Sequence, residues 1–78
     1  MASVSQLIYN ENTDRYELDG YGLHCGDCFE VLVFNGLTNK AEWIETSIES
    51  NSSGWYLVGL SGYQIGGLFA RKLQQKRR

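Results

Sequence analysis

Residues 28 to 36 read Cys28-Phe29-Glu30-Val31-Leu32-Val33-Phe34-Asn35-Gly36, and this stretch decides the fold. Successive side chains of an extended chain point to opposite faces, so Phe29, Val31 and Val33 share one side. Cys28, Glu30, Leu32 and Phe34 share the other. Aromatic and β-branched residues suit a pleated, half-buried surface, so residues 28–34 read as a strand. Asn35-Gly36 is a strong hairpin signal. Residues 40–49 then alternate again, with Ile44, Thr46 and Ile48 opposite Trp43, Glu45, Ser47 and Glu49.

Outward from this pair, the chain is punctuated by nine glycines and holds no proline. Between the glycines lie short β-branched and aromatic stretches, the pattern of a strand meander. Residues 6–9 and 15–19 read as strands flanking a turn at residues 10–14, whose Asn and Asp suit turn geometry. Residues 20–27 form a Gly-rich connection. Asn51-Ser52-Ser53-Gly54 is a turn by composition. Residues 55–60 are apolar on both faces, as expected of a central strand. Residues 61–67 have room for one 3₁₀ turn, and residues 68–73 for a last strand. A short C-terminal helix over residues 68–76 competes, because Ala, Arg, Lys, Leu and Gln favour helix. Five or six short strands in so short a chain leave few edges unpaired if they curl into a barrel. The expectation is a mainly β, small SH3-like barrel of five or six strands, one domain over residues 1–78.

The 78 residues suffice for one core and no second. With 42% hydrophobic and 21% charged residues, wholesale disorder is not expected. No apolar run reaches the ~20 residues that cross a bilayer. The first five residues show neither a basic region nor an apolar stretch of a secretion signal, so a cytoplasmic location is expected. All nine acidic residues lie between Glu11 and Glu49, and five of the seven basic ones lie in the tail, residues 71–78. Residues 1–70 therefore carry two basic against nine acidic side chains, −7, and the tail carries +5. An acidic body repels phosphate backbones, which argues against nucleic-acid binding by the domain proper. Arg71, Lys72, Lys76, Arg77 and Arg78 keep a tail-mediated nucleic-acid contact as the alternative reading.

Cys25-Gly26-Asp27-Cys28 is the one spacing with chemical content. Two thiolates around a glycine turn can hold adjacent corners of a tetrahedral Zn²⁺, with His24 and Asp27 as further candidate ligands. A full zinc signature has a second pair or two spaced histidines, and the chain has a single His. Closing the shell requires carboxylates or a second copy. The competing reading is ordinary packing, since Cys behaves as a small apolar side chain. A thioredoxin-type role is disfavoured because the pair leads into a strand instead of opening a helix. No nucleotide-binding glycine motif occurs, and no nucleophile stands beside the lone His, so an enzyme is not expected.

The aromatic residues form a second group. Trp55 and Tyr56 are adjacent in a strand, so both cannot face the core. Trp43, with Glu42 and Glu45 beside it, reads as an interface residue, and Trp55, Tyr63 and Glu49 join it as candidate partner-binding positions. Tyr16 and Tyr56 read as core.

Leu23-His24-Cys25-Gly26-Asp27-Cys28-Phe29-Glu30-Val31 has a Gly-Asp pair where a long loop enters a strand. Trp43, then Gly54-Trp55-Tyr56-Leu57-Val58-Gly59, then a glycine-containing turn before Leu68, complete the pattern. Together these resemble an uncharacterised family of short SH3-like proteins from Gram-positive bacteria and their phages and mobile elements, over residues 7–71. The resemblance carries no catalytic residues. It implies a cytoplasmic accessory protein, of the kind that includes inhibitors of CRISPR effector nucleases (anti-CRISPR proteins). The resulting expectation is an acidic, non-enzymatic module that binds a nucleic-acid-handling host protein.

Overall fold

The computed structural model describes residues 4–73. Eight strands run in chain order: β1 (Val4–Gln6), β2 (Ile8–Asn10), β3 (Arg15–Leu18), β4 (Tyr21–Gly22), β5 (Cys28–Asn35), β6 (Lys40–Asn51), β7 (Gly54–Leu57) and β8 (Phe69–Lys72). There is no helix among the described residues, so the chain is mainly β. The helix alternative fails over its described part, where β8 pairs with β1 and β5; residues 74–76 of that alternative lie outside the described residues.

The β5–β6 hairpin is the spine, with Cys28 opposite Ser47 at one end and Asn35 opposite Lys40 at the other. The full sheet runs β1-β8-β5-β6-β7, and a second sheet of three strands runs β2-β3-β4. All strand pairings are antiparallel. The two sheets are joined at Leu7, between β1 and β2. Its N–H donates to the Leu68 carbonyl at 2.8 Å, and its carbonyl accepts from Gly67 N–H at 2.8 Å. Leu7 is fully buried at this corner. One strand was expected over residues 6–9; it divides here because the chain leaves one sheet to begin the other. The sheets do not close into a barrel by hydrogen bonds.

The core lies between the sheets. Phe29, Val31, Ile48, Leu57 and Ala70 from the large sheet meet Leu7 and Leu18, all essentially without exposure. Thr46 is the one buried polar residue among those described, and its hydroxyl donates to the Val58 carbonyl at 2.7 Å. A buried hydroxyl without that partner would cost about 1–3 kcal/mol.

Three hairpin turns share one device. Asn10, Asn35 and Asn51 each accept, through Oδ1, the backbone N–H two residues on, at 2.8–2.9 Å. This side-chain turn starts the reversal before the backbone completes it. Asp14 and Asn39, at φ 55° and 59°, stand immediately before the returning strands, and Gly54, at φ 117°, begins the third.

Residues 55–60 do not form a central strand. β7 ends at Leu57 and occupies the edge of the sheet. Leu60 N–H bonds back to the Leu57 carbonyl at 3.0 Å, and Gly59 takes φ 80°, so the chain turns instead of extending. Residues 61–67 contain successive tight turns, closed by Tyr63 to Leu60 and Leu68 to Ile65, and no 3₁₀ helix.

Candidate interaction face and cysteine loop

The face of the large sheet turned away from the core is not covered by the second sheet. Alternation places Glu30, Leu32 and Phe34 of β5 there, beside Ala41, Trp43, Glu45, Ser47 and Glu49 of β6. β8 adds Phe69 and Arg71, and β1 adds Val4 opposite Arg71. Phe34 is 61% exposed and Phe69 48%, and Val4 is exposed as well. Single exposed apolar residues are ordinary, but several sharing one sheet face make this face a candidate interaction surface.

A charge network organises the centre of this face. Glu30 stands directly opposite Glu45, a like-charge pair that destabilises a ladder. Arg71, from the other side of β5, donates Nε–H to Glu30 Oε1 at 2.7 Å. Its guanidinium also lies 4.1 Å from the Trp43 ring centroid. Arg71 thus neutralises one carboxylate and holds the indole in place, leaving Glu45 and Glu49 as the acidic side of the surface. This also removes Arg71 from the cations available to a tail-mediated phosphate contact. Lys76, Arg77 and Arg78 lie outside the described residues.

The other expected interface residues separate. Glu42 and Tyr63 do not share the Trp43 face; with Val33, Phe34 and Ile44 they border a shallow cleft of about 220 Å³ at the end of the β5–β6 hairpin. Trp55 points inward, packs against the core, and donates its indole N–H to the Asp14 carbonyl at 3.1 Å. The Arg15 guanidinium sits 5.9 Å from its ring. Tyr16 packs against the core, as expected. Tyr56, expected in the core, is opposite Glu49 on the outward face, because Leu57 and Trp55 take the inward positions of β7.

The cysteine loop is built by backbone hydrogen bonds. Asp27 N–H returns to the His24 carbonyl at 2.9 Å, closing a tight turn that Gly26 allows at φ 92°. Gly26 N–H donates to the Ile48 carbonyl, and Ile48 N–H to the Asp27 carbonyl, so the loop is stitched to β6. Asp27 Oδ2 accepts the His24 backbone N–H at 2.8 Å. His24 Nδ1 is 4.0 Å from the same oxygen. Both thiols are free and exposed. Cys25 Sγ lies 3.3 Å from Ser50 Oγ, while Cys28 Sγ contacts the Gly26 carbonyl at 3.5 Å. Among the described residues no three His, Cys, Asp or Glu side chains are gathered as a metal shell. The hydrogen bonds made by Gly26 and Asp27 define the loop's shape.

One further titratable contact stands out among the described residues. The Tyr9 hydroxyl donates to the Asp14 carboxylate, which raises the phenol above its ordinary range, with desolvation and nearby negative charge adding to the effect. Tyr9 is a neutral hydroxyl at pH 7.

A small two-sheet β domain with one outward aromatic and acidic face is the class this geometry defines. The chain belongs to the family described as a domain of unknown function, DUF5348, whose model matches residues 5–71. That span runs from β1 to Arg71 in β8, so it takes in both sheets and, Val4 apart, the outward face described above. No curated protein and no solved structure matches the chain. No helix among the described residues is long and apolar enough to cross a membrane.

Proposed function

We propose that this domain is a non-enzymatic protein-binding module that docks through the outward face of its large sheet. The observation that carries the reading is the Trp43–Arg71–Glu30 network set among Phe34, Phe69 and Val4. Tryptophan and arginine are the side chains most often at the energetic centre of protein interfaces. Glu45 and Glu49 add carboxylates beside that centre, and a basic partner surface complements them. The small acidic body and the likeness to SH3-like proteins of phages and mobile elements support an accessory or inhibitor role in the cytoplasm. The target on this reading is a nucleic-acid-handling host protein, such as a CRISPR effector nuclease, whose basic groove the carboxylates occupy in place of phosphates.

The test immobilises the full chain and a Trp43→Ser variant and recovers partners from a bacterial host lysate at low and high salt. The expected result is a partner retained by the wild-type chain, lost with Trp43→Ser, and weakened by salt. A partner held equally by both chains refutes the Trp43 face. Indifference to salt refutes the electrostatic account, and recovery of no partner refutes the module itself.

A further inference from the structure

A second cleft, of about 400 Å³, opens where the two sheets fail to join, and of its lining residues only Cys28, at the end of β5, belongs to the row that carries the Trp43 face. Its origin is topological. β4 is two residues long and pairs only with β3, so no ladder seals the seam towards β5 and β8. The floor is apolar and comes from both sheets: Leu18, Leu23 and Phe29 are each at most 4% exposed. The rim is polar. Lys72 projects from β8 with its Nζ 5.8 Å from the Tyr21 ring centroid, and Asp27 and Cys28 border the opening.

The two rim charges are unequal in what they have left to offer. Asp27 already accepts the His24 N–H and faces the His24 ring. Lys72 forms no ion pair with the described residues. It is the one basic side chain among the described residues lining the cleft. An apolar floor with a single available cation at its edge is complementary to a chain that is apolar along its length and anionic at one end. The volume is at the small end of the range for small-molecule sites.

We propose that this cleft binds an amphiphilic monocarboxylate, an acyl or arylalkyl chain lying over Leu18, Leu23 and Phe29 with its carboxylate at Lys72. The proposal is independent of the docking face, and a Trp43→Ser variant should bind such a ligand as the wild-type chain does.

The experiment titrates the isotope-labelled full chain with decanoate, decanol and decylammonium below their micelle concentrations, following amide shifts. Decanoate should give saturable shifts at Leu18, Leu23, Phe29 and Lys72. It should bind roughly five-fold tighter than decanol, the gain expected of one partly exposed ion pair. Lys72→Gln should abolish that advantage and leave decanol binding unchanged. Equal binding of acid and alcohol, or preference for the ammonium, overturns the assignment of Lys72. Absence of saturable shifts at the floor residues overturns the site. A second measurement needs no change at Lys72. Cys28 borders the cleft while Cys25 contacts Ser50, so single Cys→Ser variants separate their reactivities. In thiol–disulfide exchange each thiolate attacks the probe's sulfur and expels the other half as thiolate. Cys28 should favour a decyl over a hydroxyethyl disulfide and Cys25 should not; equal preference at both counts against the cleft.

Discussion

The two faces of the β5–β6 hairpin are built from the same strands with similar residues, yet they meet different fates. On the inward side Phe29, Val31 and Val33 of β5 and Ile44, Thr46 and Ile48 of β6 are all buried or half-buried, and only towards the hairpin end does Glu42, opposite Val33, open to solvent. The outward row, Leu32 and Phe34 beside Trp43, holds residues just as apolar and is left half-buried or open. Hydrophobicity alone does not separate them. What separates them is the second sheet, which covers only one side. The outward side retains large apolar groups without that cover, and Arg71 links Glu30 to the Trp43 ring across it.

Paired truncations test this most severely. Phe29→Ala should destabilise the domain by about 3–5 kcal/mol, the range for removing a buried aromatic ring. In a domain this small that is a large share of the total stability. Phe34→Ala, on the same strand but outward, should change stability by less than about 1 kcal/mol, as substitutions of exposed residues usually do. Denaturant unfolding of both variants provides the comparison. Equal losses would mean that the outward face is covered by the chain itself, and the docking reading would fall with it.

The spine of the fold was legible because its alternation is long. β5 and β6 are observed at residues 28–35 and 40–51, close to the expected 28–34 and 40–49, with the same residues inward. Their face assignment also located Trp43. What alternation could not show was where a strand changes sheets. Nothing at Leu7 marks the corner, because a buried leucine suits either sheet and the chain stays extended through it. Residues 55–60 misled for a related reason. An apolar run reads as central, but here Trp55 and Leu57 pack inward while Val58 is exposed, and the turn at residues 57–60 ends the strand. The barrel expectation assumed that edges would pair. β4 is too short to supply the ladder, and closure depends on strand length across a seam, which residue type does not record. The three turn asparagines were visible as turn residues. Their common role, one Oδ1 accepting the N–H two residues on, needed coordinates.

A smaller effect probes the outward network. Arg71→Gln should lower stability by about 1 kcal/mol, combining a partly exposed ion pair with loss of the stacked cation on Trp43. The replacement leaves Glu30 facing Glu45 without its counter-charge, so the loss should shrink when Glu45→Gln is added. It should also shrink at high salt, which screens the exposed carboxylates. Trp43 fluorescence reports the stack independently of unfolding. A variant whose stability and fluorescence match the wild-type protein would show that Arg71 does not organise the face.

The smallest effect is expected at the cysteine loop, where a zinc staple and a hydrogen-bonded turn make opposite predictions. The spacing of Cys25 and Cys28 suggested a zinc staple, and a staple lost from a small domain should be felt strongly. The geometry ties the same loop down by other means: Gly26 and Asp27 are hydrogen-bonded to Ile48, and Asp27 caps the His24 N–H. Cys28 belongs to the outward row of β5, and Cys25 reaches Ser50 across the loop. The double variant Cys25→Ser, Cys28→Ser should therefore unfold within about 0.5 kcal/mol of the wild-type chain, as exposed substitutions away from packing do. A chelator should leave the melting temperature of both proteins unchanged. A double variant that melts well below wild type, together with a chelator-sensitive wild type containing zinc by elemental analysis, would reverse this. The missing ligands would then have to come from His24 and Asp27 after the turn rearranges, or from a second copy, and native mass spectrometry separates these by subunit count. Asp27→Asn is the opposite control. Weakening the cap on His24 should disturb the loop more than removing both thiols, if hydrogen bonds rather than sulfur hold it.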